Sequence, residues 1–348
     1  MDLGVCVASQ IDDLDYPRRC EDLGYSHLWF ADSQMIWSDV FATMALAADR
    51  TERIRIGTGV AVAGTRPAPV LAAGMTTINR LAPGRVFCGV GSGNTAMRIM
   101  GHKPVTIAEL DAYLAALRPL LDGEEVDYTW RGRTAPTRHL MPDAGFVAFE
   151  PRIPLHVSGF GPRSIGLAGA HGDGLVLGGS LTPAVVSSLR QLTGRVDDPT
   201  FEITTLTTMV VLEDGEAVDS DRVKAEAGSM AVAGLHYAYE QHAQYGNPPP
   251  AYAADFWDDY VAQVEAVPAD RRHLHVHRGH NCWVEPDEER FVTRELLEST
   301  CMIGTADQLV ERLRALEEAG LTQAMLLPPL ACKEKVLADV AEQVLPRL

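Results

Sequence analysis

The chain has 348 residues, 46% of them hydrophobic and 22% charged, as expected of an ordinary folded protein. A net charge of −17 argues against a nucleic-acid partner, because gripping phosphates needs a basic face. No uncharged apolar stretch reaches the roughly 18 residues of a membrane span, and Met1 to Val5 lacks the basic and apolar regions of a signal peptide. A cytoplasmic protein that acts on small molecules is therefore expected.

Short apolar runs alternate with amphipathic segments along the chain. Leu3 to Ala8 reads as a strand, followed by a helical pattern to Leu23-Gly24. Ser26 to Ala31 is the second strand, with a helix through Phe41 to Ala48. Ile54 to Val60, rich in β-branched residues, precedes a helix from Pro67 to Leu81. Arg85 to Val90 is followed by the helix Ile107 to Leu121. Leu155 to Ser158 and Gly174 to Leu177 flank the helical Arg163 to Ala170. Phe201 to Val211 and Gln323 to Leu327 supply the last strands, with a helix at Ala306 to Ala319 between them. Nearly continuous apolar strands separated by helices imply a parallel sheet buried on both faces. An open doubly wound sheet suits the first half equally well. Eight such units decide for a closed (βα)8 TIM barrel, an α/β fold that routinely runs to roughly 250 residues or more.

Two segments break this rhythm and are read as insertions over the barrel. The charged and aromatic stretch at about 122–149 suggests a hairpin. The stretch at about 229–293 carries Pro248-Pro249-Pro250 and a cluster of histidines. The six cysteines (Cys6, Cys20, Cys88, Cys282, Cys301, Cys332) form no C-x-x-C pair and read as reduced structural thiols.

Two glycine turns carry the chemistry. Gly89-Val90-Gly91-Ser92-Gly93-Asn94-Thr95 follows the fourth strand, and its successive N–H groups can cradle an anion. The spacing is not G-x-G-x-x-G and the turn does not follow the first strand, so a Rossmann fingerprint is disfavoured. Ser158-Gly159-Phe160-Gly161-Pro162 lies between the fifth strand and a helix, with Pro162 suited to a first helical position. In a barrel both turns lie at the C-terminal face, where a phosphate-bearing ligand would meet them. A bulky side chain at Gly93 is expected to exclude that phosphate.

Tyr25 to Asp32, Ile54 to Val60, Arg80 to Thr95, Ile153 to Gly179, Gly304 to Leu309 and Ala319 to Leu321 together resemble the luciferase-like monooxygenase superfamily. That superfamily contains FMN enzymes and oxidoreductases that use coenzyme F420, a deazaflavin. Asp32-Ser33-Gln34-Met35 with Gly91-Ser92-Gly93 is more similar to the deazaflavin branch. The resemblance implies a hydride transfer between F420 and a small organic substrate, commonly in a homodimer. It places Asp32 near the deazaflavin ring and Gly59-Val60 at a non-prolyl cis peptide behind it, with Val62 beside them. It assigns Gly91, Ser92, Gly93, Asn94 and Thr95 to the cofactor phosphate, and Ser158, Gly159, Phe160, Gly161 and Pro162 to the rest of its pocket. The glucose-6-phosphate dehydrogenase type has an Asp-His pair and a glutamate where this chain has Asp32-Ser33 and Asn94. Its acid–base residues are thus missing, which disfavours that activity.

The catalytic candidates are Asp32, Ser33, His277 and His280. Imidazoles titrate near neutrality and suit proton transfer. His273, His275, His277 and His280 form an H-x-H-x-H-x₂-H run, and alternate residues of a strand would share one face. Hydrolytic metal barrels also need carboxylates from several strand ends, and no such set is evident, so no metal is expected. Trp29, Met35, Trp37 and Phe160 are either ring-pocket residues or plain core. Arg66 is either a contact for an anionic ligand or a surface arginine. An FMN-dependent monooxygenase is the alternative on the same scaffold. A metal-dependent barrel hydrolase and a cofactor-binding relative without turnover complete the set.

Overall fold

The computed structural model describes residues 1–348. Its first half contains β1 (Asp2–Val7), α1 (Tyr16–Asp22), β2 (His27–Phe30), α2 (Val40–Arg50), β3 (Arg55–Val62), α3 (Ala68–Leu81), β4 (Val86–Gly91), α4 (Asn94–Arg98), α5 (Ile107–Leu121), β5 (Val126–Trp130) and β6 (Arg133–Thr137). Next come β7 (Leu155–Ser158), α6 (Pro162–His171), β8 (Gly174–Gly178), α7 (Pro183–Thr193), β9 (Glu202–Thr207) and β10 (Met209–Val211). The chain continues through α8 (Asp221–Tyr245), α9 (Trp257–Glu265), α10 (Arg294–Thr300), β11 (Met302–Gly304), α11 (Ala306–Glu318), β12 (Gln323–Leu326) and α12 (Lys333–Gln343).

Eight of the strands close into a parallel barrel in the order β1-β12-β9-β8-β7-β4-β3-β2. The eight apolar runs of the sequence are these strands. Their outward side chains pack under the helices in a cluster of 56 buried residues. That burial on both sides is why the runs are apolar without alternation. The barrel interior is filled by Trp29, Phe87, His27, His156 and Gln323. The Trp29 indole donates to Gln323 Oε1 at 2.7 Å and lies 4.3 Å, ring centre to ring centre, from Phe87.

Three features depart from the sequence reading. Phe201 to Val211 is not one strand. β9 stays in the barrel, and after Thr208 the chain leaves it so that β10 pairs in parallel with β11. The second insertion does not begin near residue 229, because that position falls inside the 25-residue helix α8. Gly228 and Gly234 lie within it. Here they allow close packing, since a Cβ on them would lie 2.9 Å from Val284 and 3.0 Å from Thr300. The histidine run is also not a strand, for residues 272–274 form a 3-10 turn and further turns follow. The segment at 122–149 does contain the expected hairpin, β5 paired antiparallel with β6. The region from α8 to residue 291 has a small core of its own, built on Leu235, Tyr239, Trp257, Tyr260 and Phe291. No helix is long and apolar enough to cross a membrane.

Candidate functional site

Every cofactor-site residue expected from the glycine turns or from the family resemblance lies at or just beyond the C-terminal end of a barrel strand, the face on which barrel enzymes build their sites. Asp32 follows β2, Gly59, Val60 and Val62 end β3, Gly91 to Thr95 end β4 and enter α4, and Ser158 to Pro162 lead from β7 into α6.

At β3 the register slips. Thr58 pairs with Cys88 and Ala61 with Val90, so β3 carries one more residue than β4 in this interval. The extra residue is accommodated at Gly59-Val60, whose peptide is cis, as the family resemblance implied. Both residues are half-buried whereas Ile56 to Thr58 and Ala61 to Val62 are buried, so the bulge presents itself at the barrel mouth. Glycine is required at residue 59 because a Cβ there would lie 2.6 Å from the Trp29 Cβ.

The β4 turn offers an amide cradle. The N–H groups of Ser92, Gly93, Asn94 and Thr95 donate to no backbone acceptor. Gly93 adopts a left-handed conformation, φ +83°, and caps α4. A Cβ on Gly93 would lie 2.4 Å from Val62 Cγ1. A side chain at Gly93 would thus collide with β3 as well as enter the amide cradle. Gly89 is likewise a packing glycine, with a Cβ position 2.3 Å from the Thr58 carbonyl oxygen. At the second turn Pro162 opens α6, and the Gly161 N–H donates to Ser164 Oγ at 3.2 Å. Nothing lies within 4 Å of a Cβ built on Gly161, so this position faces open space.

Asp32 is 5% exposed, and Arg66 donates to both of its oxygens at 3.0 Å. The hydrogen bonds to Asp32 hold the Arg66 guanidinium above its ordinary pKa. Arg66 is thus no bare surface residue; it pairs with Asp32, reaches Asp39 at 3.4 Å and stacks on Phe41. Ser33 is half-buried, and its carbonyl oxygen accepts from the Ile36 and Trp37 amides. Of the four aromatic-pocket candidates, Trp29 is core. Met35 is 82% exposed, Phe160 is 53% exposed against Tyr237, and Trp37 packs near His280.

The α8 insertion supplies residues that the sequence did not single out. Glu240 accepts from Asn94 Nδ2 at 3.0 Å and pairs with Arg98 at 3.3 Å and with His277 Nε2 at 2.7 Å. A carboxylate therefore stands beside Asn94 after all, delivered from another element. His277 and His280 adjoin, their Nδ1 atoms 3.3 Å apart, and His236 packs against His277 and pairs with Glu288. Burial pushes His280 well below the usual imidazole pKa. His273 and His275 take no part in this cluster; His275 lies 3.9 Å from Asp287 instead. Together with Ser9, Gln10, Trp37 and Cys282, His277 and His280 line a cleft of ≈ 340 Å³ beside the ends of β1 and β2. The Ser9 hydroxyl is buried there without a partner.

The chain is 24% identical to a 5,10-methylenetetrahydromethanopterin reductase of Archaeoglobus fulgidus, over 96% of this chain and 94% of the relative. It is 26% identical to an F420-dependent glucose-6-phosphate dehydrogenase of Beutenbergia cavernae, over 97% and 93%. The solved structure of the coenzyme F420 dependent tetrahydromethanopterin reductase of Methanopyrus kandleri superposes with a TM-score of 0.71 at 17% identity, covering 99% of this chain and 98% of the other. Residues 12–323 match the luciferase-like monooxygenase family, and the chain belongs to it.

Proposed function

We propose that the protein is an oxidoreductase that binds coenzyme F420 at the barrel mouth and transfers a hydride to or from a small organic substrate. The observation that carries this reading is the half-buried Gly59-Val60 bulge set between Asp32 and two glycine turns at adjacent strand ends. The F420-dependent relatives that align along nearly the whole chain support the same cofactor. When bound, F420 supplies hydride chemistry at carbon C5.

The remaining work falls to this chain's own residues. The bulge would back one face of the ring, leaving the other face to substrate. Ser92 to Thr95 and the opening of α6 would hold the phosphate through amides and the positive helix end. The Asp32–Arg66 pair neutralises itself and would set the polarity at the ring edge without adding net charge. Substrate would enter through the cleft walled by Ser9, Trp37, His277 and His280. Trp130, Leu140, Met141 and Phe146 of the hairpin segment are all more than half exposed, and such apolar side chains would suit a homodimer.

Gly161 gives the cleanest test, because a side chain there meets no protein atom. Gly161→Val should melt like the wild type yet bind F420 at least about tenfold more weakly, a loss of about 1.4 kcal/mol. Binding followed by fluorescence titration with F420 and with FMN separates the readings. Tight FMN binding without F420 binding would replace this reading with the FMN monooxygenase.

A further inference from the structure

We propose that His236, His277 and His280 form a binding site for a zinc-class divalent transition-metal ion on the wall of the substrate cleft. One ring nitrogen from each histidine lies within 4.8 Å of the others, and all three residues are buried. No family motif leads to this cluster. His236 comes from α8 and the other two from the loop that packs on it.

The hydrogen bonds determine which nitrogens face inward. His236 Nε2 is 2.7 Å from Glu288 Oε1, and His277 Nε2 is 2.7 Å from Glu240 Oε1. A carboxylate only accepts, so each Nε2 carries the proton and each Nδ1 keeps a lone pair. The Nδ1 of His236 is buried and has no partner. His280 Nε2 is 3.1 Å from the Asn281 amide nitrogen, while Asn281 Oδ1 is buried and unpartnered. Turning that amide over, a change invisible in outline, lets Oδ1 accept from His280 Nε2–H. The three Nδ1 atoms then keep their lone pairs, and the swap leaves the Asn281 Nδ2 in the buried position where Oδ1 had no partner.

This is how proteins prepare imidazole ligands: the second ring nitrogen donates to a carboxylate or amide oxygen, which fixes the tautomer and raises basicity. The spacing also fits. Zn–N bonds of about 2.0–2.1 Å in a tetrahedron put two ligand nitrogens roughly 3.3–3.4 Å apart; His277 Nδ1 and His280 Nδ1 are 3.3 Å apart. Imidazole sets of this kind select zinc and its first-row neighbours over magnesium or calcium. Three protein ligands leave a fourth position, and the cleft that His277 and His280 line would fill it with water or a substrate oxygen. None of the three histidines sits at a barrel strand end, so the site differs from that of a hydrolytic metal barrel. It would fasten the histidine loop to α8 and polarise a substrate oxygen on the cleft side.

The test uses the full chain, stripped with a chelator and titrated with Zn²⁺ and Co²⁺, and it reads metal binding without reference to F420. Expected is one equivalent of each ion, with the visible absorption of four- or five-coordinate Co²⁺ and a zinc-edge X-ray signal from nitrogen at about 2.0–2.1 Å. His280→Ala should lower Zn²⁺ affinity at least tenfold, and Glu288→Gln by about 10–100-fold through the lost partner of His236. Should His280→Ala fail to fold, as judged by circular dichroism, the wild-type Co²⁺ spectrum and Glu288→Gln decide. Absence of stoichiometric uptake by the wild type overturns the site, and so does an affinity left unchanged by either folded variant.

Discussion

At the scale of single residues, the ion pair between Asp32 and Arg66 has the sharpest consequence. Asp32 is nearly fully buried, so removing its counter-charge leaves an uncompensated carboxylate in the barrel mouth. Arg66→Met should therefore destabilise the protein by about 3 kcal/mol. Asp32→Asn added to it should recover much of that loss, and urea unfolding of both variants would show it. If the single variant unfolds like the wild type, the pair is not coupled as its two 3.0 Å contacts indicate. Gly93 behaves in the same local way. Gly93→Ala should cost about 1–2 kcal/mol from its left-handed backbone alone, before its clash with Val62 is counted. Both residues were visible in the sequence. Their contacts were not, because Arg66 is 34 residues from Asp32 and nothing in a linear pattern pairs them.

At the scale of elements, α8 is the piece that turns a bare barrel into a roofed site. It reaches the β4 turn through Asn94, Arg98 and Glu240, with Arg98 also bonded to Gln244 on the next turn of the helix. The Arg98 and Glu240 side chains are both largely buried, so the tie resists solvent screening better than a surface pair. Arg98→Ala should destabilise α8 by about 1–3 kcal/mol, seen as faster amide hydrogen exchange in 236–245 with little change in the barrel strands. Uniform exchange across the whole chain would instead mean that α8 opens only with the barrel. The sequence reading placed the start of an insertion at about residue 229, inside this helix. The packing of Val284 and Thr300 against Gly228 and Gly234 reverses that judgement, and it cannot be read before the partners are known.

At the scale of the whole molecule, the barrel interior sets an acid limit. His156 is buried beside Trp29 and Phe87, and desolvation pushes its pKa down to about 3. His27 is lowered by the same cause, well below the ordinary value. In the unfolded chain both take up protons near pH 6.5, whereas the folded barrel resists protonation. Stability is thus complete above about pH 6.5 and falls as the pH drops, for His156 toward about 3 and by about 1.4 kcal/mol per pH unit, and His27 adds to the fall in the same direction. Denaturant midpoints measured between pH 7 and pH 4 should show this slope. His156→Gln, which cannot charge, should reduce it, and an unchanged slope would place the acid sensitivity elsewhere.

The sequence by itself determined the barrel, its eight strands and the two glycine turns. Strand burial on both faces and turn chemistry are short-range properties, written into neighbouring residues. It also singled out His277 and His280, which flank Gly279 and adjoin Asn281, two residues of positive φ. Only the tertiary structure decided what those groups touch. It delivered Glu240 to Asn94, gave Arg66 to Asp32 and set His236 against His277, all across separations of more than 30 residues. Such pairings depend on how an insertion folds over the barrel. That is fixed by shape and packing among distant elements, which no local spacing records.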